Sequence, residues 1–170
     1  MNPYLGYYYS YLRPVEFDGK ILRSLVRIFE KDGFVYVKTI ENYTAVTRRK
    51  RTILKHTGIA IHTGERILIH EREMTAGQMI WTTVLHPSES DQASVLTGLT
   101  LGVSSGMERD IACYRVVWEA LGYAIDIHAC LKRCGLFDVK KGAVERDILR
   151  GTSNTMKRGE QAFVYRLWKM

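Results

Sequence analysis

The sequence has few cysteines and no long apolar run. Its three cysteines, Cys113, Cys130 and Cys134, lie in the C-terminal half, and an odd number argues against the disulfide framework of a secreted protein. No stretch of about 20 apolar residues exists to span a bilayer, and the N-terminus lacks the basic and apolar regions of a secretory signal. We therefore expect a cytoplasmic protein that makes no membrane contact.

The sequence also lacks the short motifs of common catalytic chemistries. It contains no phosphate loop of the GxxxxGK[ST] or GxGxxG form, no GxSxG turn and no HExxH pair. Cys130 and Cys134 have no second cysteine pair, so we expect no metal site. We predict a non-catalytic protein without a cofactor. A small enzyme with a β-lined pocket is an alternative, because scattered serines, histidines and acids could converge in the fold.

The length and apolar content of the chain are sufficient for one globular domain. The chain has 170 residues, 46% of them apolar, and a formal charge of +7. A chain of this length can bury a core without disulfides. The densest basic run is Arg48-Arg49-Lys50-Arg51, between two strand-like segments. It indicates either direct contact with nucleic-acid phosphates or a solvated turn that protects a strand edge.

The first 105 residues are typical of strands joined by short turns. The strongest local signal is Asp32-Gly33, a dipeptide preferred in two-residue type I′ turns. Such a turn pairs Lys31 with Phe34 and continues that register along both strands. One face of this hairpin is then a core face, made of Val26, Ile28, Val35 and Val37.

The opposite face of the hairpin mixes cations with apolar side chains. It holds Arg23, Leu25, Arg27, Phe29, Tyr36, Lys38 and Ile40. We interpret this face as one wall of a pocket for an amphipathic anion. The alternative is an ordinary solvent face on which long stems cover apolar neighbours.

Tyrosines crowd the N-terminal segment. Five occur within eight residues, and on a strand Tyr7, Tyr9 and Tyr11 share one face. In a curled sheet they would form a concave wall, apolar enough to hold a small molecule and polar enough to orient it. Equally, they could form an outer strand or a dimer contact, and exposed aromatics predict a homodimer. The candidate ligand-binding residues are therefore Tyr7, Tyr9, Tyr11, Arg23, Arg27, Tyr36 and Lys38.

A second hairpin is predicted from residues 53–62 and 66–73 around Gly64-Glu65. Its register places Ile59, Ile61, Leu68 and His70 on one face and Ala60, His62, Ile67 and Ile69 on the other. The two histidines point apart, which again argues against a metal site. Two further strands are expected over residues 78–85 and 94–103.

Beyond Gly106 the apolar spacing becomes helical. A stripe of Ile111, Tyr114, Trp118 and Leu121 predicts a helix from residue 105 or 110 to Leu121, ended by Gly122. Further helices are expected over residues 125–134 and 139–149. An alternating segment from Ala162 to Trp168 is typical of an edge strand or a partner-binding tail.

These elements predict an α+β fold. We expect an antiparallel β-meander, curled or closed like a barrel, packed by helices that come late in the chain. Residues 1–121 would form a β-rich sensing or regulatory domain with a closing helix. Residues 122–170 would form a helical C-terminal appendage.

Several short sequence segments together resemble the C-terminal regulatory domain of bacterial helix-turn-helix transcription regulators of the xenobiotic-response-element type. They are Gly6-Tyr7-Tyr8-Tyr9-Ser10-Tyr11, Arg23-Ser24-Leu25-Val26-Arg27-Ile28, Gly58-Ile59-Ala60 before Arg66-Ile67-Leu68-Ile69, and Gly98-Leu99-Thr100-Leu101-Gly102. The resemblance covers residues 4 to about 121 and includes no catalytic motif. It implies a domain that senses a small-molecule effector or contacts a protein.

The resemblance also implies that a separate helix-turn-helix unit reads DNA. No such unit precedes Tyr4, so we expect either a fragment of a longer regulator or a domain that stands alone. The resemblance assigns no binding residues.

Overall fold

The structure is a computed structural model that describes residues 3–44, 51–75, 77–87, 94–103, 109–156, 158–159 and 162–163. Its strands are β1 (Gly6–Leu12), β2 (Lys20–Lys31), β3 (Phe34–Thr44), β4 (Arg51–His62), β5 (Ile67–Glu73), β6 (Ile80–His86), β7 (Val95–Val103), β8 (Ile111–Gly122) and β9 (Gly135–Asp138). Its helices are α1 (Ile127–Arg133), between β8 and β9, and α2 (Arg146–Gly151).

The first eight strands form a closed antiparallel barrel. Each pairs with its neighbour in sequence, and β1 closes the ring by pairing with both β2 and β8. β9 pairs with the part of β2 that β3 does not reach. Arg23 of β2 pairs with Gly135 of β9, whereas Leu25 of β2 pairs with Ile40 of β3. The predicted antiparallel meander, closed like a barrel, is confirmed.

Both predicted hairpins have the expected register. Asp32 and Gly33 have φ angles of 52° and 78°, as a type I′ turn requires, and Lys31 pairs with Phe34. In the second hairpin His62 pairs with Ile67, and Ile59 with His70. Turn chemistry therefore set the register at both places.

Alternating side chains fill one end of the barrel with an apolar core. The core contains residues from seven of the strands and from the segment before β1: Tyr4, Tyr8, Val26, Ile28, Val37, Ile67, Ile69, Leu85, Leu96, Val116 and Trp118. The Tyr8 hydroxyl donates a hydrogen bond of 2.8 Å to the Tyr4 carbonyl, and the Tyr8 ring packs on Trp118. This end of the barrel is closed by packed side chains.

The predicted helix ending at Leu121 is wrong, because these residues form strand β8. Tyr114, Val116 and Trp118 point into the barrel, while Val117 and Leu121 point outward into a second apolar cluster. A strand buried on both faces loses the alternation of polar and apolar residues, so its pattern resembles a helical stripe.

The late helices pack on the outside of the barrel. Asp126 caps α1 by accepting a hydrogen bond of 3.0 Å from Ala129 N, which confirms the expected helix in shorter form. The helix expected over 139–149 is confirmed only near its end, since α2 begins at Arg146 and β9 was not predicted. Most of the segment Ala162–Trp168 lies outside the described residues.

No helix in the described ranges is long and apolar enough to cross a membrane.

Candidate functional site

A cavity of about 70 Å³ lies inside the other end of the barrel. All eight barrel strands and the β1–β2 connection line it, with their inward side chains. Its polar lining comprises Ser10, Glu16, Ser24, Thr39, Glu41, His56, Glu71, Thr83 and Thr100, and its aromatic lining comprises Phe17, Tyr43, Trp81, Tyr114 and Trp118. The barrel interior is therefore apolar at one end and lined by both polar and apolar side chains at the other, which we call its polar end.

Two carboxyl groups face this cavity from neighbouring parts of the wall. Glu71 on β5 is 7% exposed, and the Thr39 hydroxyl donates a hydrogen bond of 2.6 Å to its Oε1. Burial raises the pKa of Glu71 to about 7. Burial also raises the pKa of Glu41 to about 7, helped by the negative charges of Glu71 and Glu16. Burial therefore favours the neutral acid form of both carboxyls more than it would for exposed glutamates.

His56 on β4 completes the acidic side of the cavity. It is 3% exposed, and its Nε2 lies 3.7 Å from Glu41 Oε1. Within the described part of the chain, neither ring nitrogen has a hydrogen-bond partner. Burial lowers the pKa of His56, against the opposite effect of Glu73, so its neutral form is favoured. A buried imidazole without partners is unfavourable unless something else satisfies it.

Aromatic pairs flank the polar end of the barrel. The rings of Trp81 and Tyr114 lie 5.8 Å apart, and those of Phe17 and Tyr43 lie 5.6 Å apart edge to face. Trp81 pairs in register with Glu71, so an indole lies beside a carboxyl. The cavity thus offers apolar surface next to hydrogen-bond acceptors.

The arrangement is suited to bind a small ligand that donates hydrogen bonds. The described residues that line the cavity include three carboxyls and no lysine or arginine. The hydroxyls of Thr83 and Thr100 bond to each other at 2.8 Å and leave little donor capacity there. In the described ranges no group of three or more His, Cys, Asp or Glu could hold a metal ion. An anion would find no positive partner in this lining.

Tyr9, Tyr11 and Arg23 lie on the outer face of the barrel, beneath the C-terminal segment. The Tyr9 hydroxyl donates to the Cys130 carbonyl at 3.2 Å, and the Arg23 Nε donates to the Arg133 carbonyl at 2.7 Å. The expectation of a concave tyrosine wall is wrong for these side chains, because the alternation of β1 turns Tyr8 and Ser10 inward instead.

The other four candidate residues lie together on the same outer face, where Arg27 and Lys38 are exposed and Tyr7 and Tyr36 are half-buried. Arg27 lies over the rings of Tyr7 and Phe29, and Phe29 stacks on Tyr36 at 5.7 Å. Lys38 also lies over the Phe29 ring. The structure brings Tyr7, Arg27, Tyr36 and Lys38 together, but on the convex side of the sheet. Ligand binding by these residues stays a prediction.

Arg23→Ala should loosen the C-terminal segment. The variant loses the hydrogen bond to Arg133 and the contact of the guanidinium with the Phe137 ring, 4.4 Å from its centroid. We expect the free energy of unfolding to fall by about 1–2 kcal/mol. Limited proteolysis should then cut the chain after residue 122 faster than in the wild type.

The matched control is Arg27→Ala on the same strand and face, where the exposure of the side chain predicts little change in stability. Equal cleavage rates would contradict this role of Arg23.

Three residues of the basic run, Arg48, Arg49 and Lys50, lie outside the described residues. Arg51 begins β4, is exposed, and donates from Nε to Asn42 Oδ1 at 2.8 Å. Nucleic-acid contact by this run stays a prediction.

None of the polar cavity residues is predicted as a site residue from the sequence, because only the apolar residues of each strand are assigned there to the inward face. Extending the core face of the first hairpin by two-residue steps leads from Val26 to Ser24 and from Val37 to Thr39 and Glu41. The same step along β5 leads from Ile69 to Glu71. Polar residues on an inward face were therefore the available signal.

Comparison with known proteins gave no match to any family model, and no significant match to any curated protein or solved structure.

Proposed function

We propose that this protein binds a small molecule inside the polar end of its barrel and acts as a sensing or regulatory domain. The observation that carries the proposal is the cavity lined by His56, whose two buried ring nitrogens have no hydrogen-bond partner among the described residues, together with the carboxyls of Glu41 and Glu71. Leaving such an imidazole buried without partners lowers stability by about 1–3 kcal/mol, so a fold that keeps it is typical of a binding site.

The size of the cavity restricts the ligand. One water-sized group needs roughly 10–15 Å³ of this kind of volume, so about 70 Å³ holds on the order of five such groups. Pockets for drug-sized ligands are several times larger. The ligand is therefore a fragment of about five non-hydrogen atoms, unless the aromatic side chains at this end move apart.

The regulatory part of the proposal comes from the sequence. The resemblance to regulatory domains of transcription regulators favours effector sensing, with DNA read by a separate unit. Three free cysteines favour the reducing conditions of the cytoplasm. Exposed apolar side chains on the outer wall, such as Ile59, Ile61 and Leu101, favour a homodimer.

Filling the cavity should abolish ligand binding. Ser24 is 4% exposed and lines the cavity from β2, so Ser24→Leu places its side chain in the empty volume. Ligand-observed NMR with a set of neutral and charged fragments should show binding to the wild type and its loss in Ser24→Leu. Tyr7→Ala, on the outer face, should bind as the wild type does.

The interior site would be overturned if Tyr7→Ala weakened fragment binding and Ser24→Leu did not. It would also be overturned if every fragment gave the same signal with the folded Ser24→Leu variant as with the wild type. Circular dichroism establishes that each variant is folded.

A second candidate function is proton-transfer catalysis in the same cavity. It is favoured by the 3.7 Å approach of His56 Nε2 to Glu41 Oε1 and by the pKa of Glu41 near 7, a value suited to acid–base chemistry at neutral pH. Time-resolved NMR of bound fragments tests it. A new product that disappears in Glu41→Gln would establish catalysis, and unchanged fragments favour the binding domain.

A further inference from the structure

We infer that the cavity selects a small primary amine in its protonated form, bound by the carboxyls of Glu41 and Glu71 and by His56. This inference rests on the proposed binding function and adds the chemical class of the ligand.

The charge of the lining points to a cation. The whole chain carries a formal charge of +7, yet Glu16, Glu41 and Glu71 line the cavity and the described lining contains no lysine or arginine. A buried carboxylate is normally paired with a cationic side chain or kept protonated. The described lining provides no lysine or arginine to pair with Glu41 or Glu71, and an ammonium group would supply the cation.

The number of free acceptors matches a primary ammonium group. Thr39 donates to Glu71 Oε1, no other hydrogen bond from the described residues reaches the carboxyl of Glu71 or of Glu41, and both ring nitrogens of His56 are buried without a partner. A primary ammonium group has three N–H donors and no acceptor. Its three donors match the three groups that line the cavity, Glu41, His56 and Glu71. A quaternary ammonium ion carries the same charge but has no N–H to donate.

The apolar part of the ligand has a place beside these acceptors. Trp81 pairs in register with Glu71, and its ring lies 5.8 Å from that of Tyr114. Aromatic faces attract cations as well as alkyl groups. With room for about five non-hydrogen atoms, butylammonium is a suitable probe. A ligand of this size binds no more tightly than a Kd of about 1 µM.

Proton release should accompany binding. The other ionisable groups that line the cavity are Glu16 from the β1–β2 connection, Tyr43 from β3, His56 from β4 and Tyr114 from β8, and Glu73 from β5 acts on His56. Because the pKa values of both carboxyls lie near 7, a cation must displace protons below that pH. An alkylammonium stays protonated to about pH 10. Affinity should rise about tenfold from pH 6 to pH 8 for each carboxyl that releases its proton on binding.

The test compares three probes that each have five non-hydrogen atoms. Isothermal titration calorimetry of the full chain at pH 8 should show binding of butylammonium, with 1-butanol and tetramethylammonium at least about tenfold weaker. Glu71→Gln should weaken butylammonium binding by at least tenfold, since it removes one charge and keeps the acceptor for Thr39. Glu65→Gln, at the exposed turn between β4 and β5, should leave the affinity unchanged.

The outcomes separate this inference from the proposed function. If 1-butanol binds as well as butylammonium and Ser24→Leu abolishes both, the interior site stands and the amine class is overturned. If butylammonium binding is the same in wild type, Glu41→Gln and Glu71→Gln, the carboxyls do not select the ligand. If none of the three probes binds, the inference is overturned, and the fragment screen against Ser24→Leu decides the proposed function separately.

Discussion

Gly58→Ala should lower the free energy of unfolding by at least about 4 kcal/mol or prevent folding. A Cβ atom at this position would lie 1.7 Å from the His70 carbonyl oxygen and 2.8 Å from the Glu71 Cα. Both atoms belong to the backbone of β5, so no side-chain rotation relieves the overlap. The strands would have to separate beside the cavity.

Thermal unfolding measures this effect. A loss of 4 kcal/mol corresponds to a fall in Tm of roughly 10 °C for a chain of this length. Ile59→Ala is the matched control, because the neighbouring side chain is 44% exposed on the outer face and its truncation should cost little. Gly98→Ala should behave like Gly58→Ala, since its Cβ would lie 1.9 Å from the Val84 carbonyl oxygen. A Gly58→Ala variant that melts within a few degrees of the wild type would contradict this close approach.

Glu71→Gln should make the protein more stable at pH 8 and almost unchanged in stability at pH 4. The pKa of Glu71 is raised from 4.5 to about 7 in the folded state. A carboxyl with a raised pKa in the folded state favours folding below its unfolded pKa, and this stability is lost as pH rises through the folded pKa. The loss is about 2–3 kcal/mol between pH 5 and pH 8. Glutamine cannot ionise, so the variant should lack this loss.

Urea unfolding between pH 4 and pH 8 gives the two stability curves. Glu41→Gln should flatten the curve in the same direction, because the pKa of Glu41 is also raised to about 7. Glu65→Gln, in an exposed turn, should follow the wild type at every pH. Parallel curves for wild type and Glu71→Gln would show that Glu71 is not buried as an acid in the folded protein.

Gly58 and Glu71 occupy adjacent positions in the barrel wall. Gly58 pairs with Val37 on one side and with Glu71 on the other, so it occupies an inward position without a side chain. This close approach of β4 to β5 brings Glu71 next to the strand that carries His56. The absence of a side chain at Gly58 therefore permits the close approach of β4 to β5 beside the carboxyl of Glu71.

The outer face shows why the sequence alone could not tell which side of the sheet is concave. Pairing and alternation grouped Arg23, Arg27, Tyr36 and Lys38 correctly on one face. Nothing local distinguishes a convex from a concave face, because both are the same strand seen from opposite sides. A cationic and aromatic face was consistent with a pocket until the closed barrel placed it outside.

The sequence by itself determined the features that neighbouring residues control. Asp32-Gly33 set one hairpin register, Gly64-Glu65 set another, and Asp126 began helix α1, because turns and caps depend on contacts within a few residues.

Only the tertiary structure decided the closure of the barrel, the strand form of β8 and the cavity. β1 and β8 pair across more than 100 residues, and β8 is buried on both faces by parts of the chain that lie far apart in sequence. Glu41, His56 and Glu71 come from three consecutive strands, β3, β4 and β5, and all eight strands of the closed ring enclose the cavity that they line. Their raised or lowered pKa values follow from burial, which depends on what surrounds a side chain and not on its neighbours in sequence.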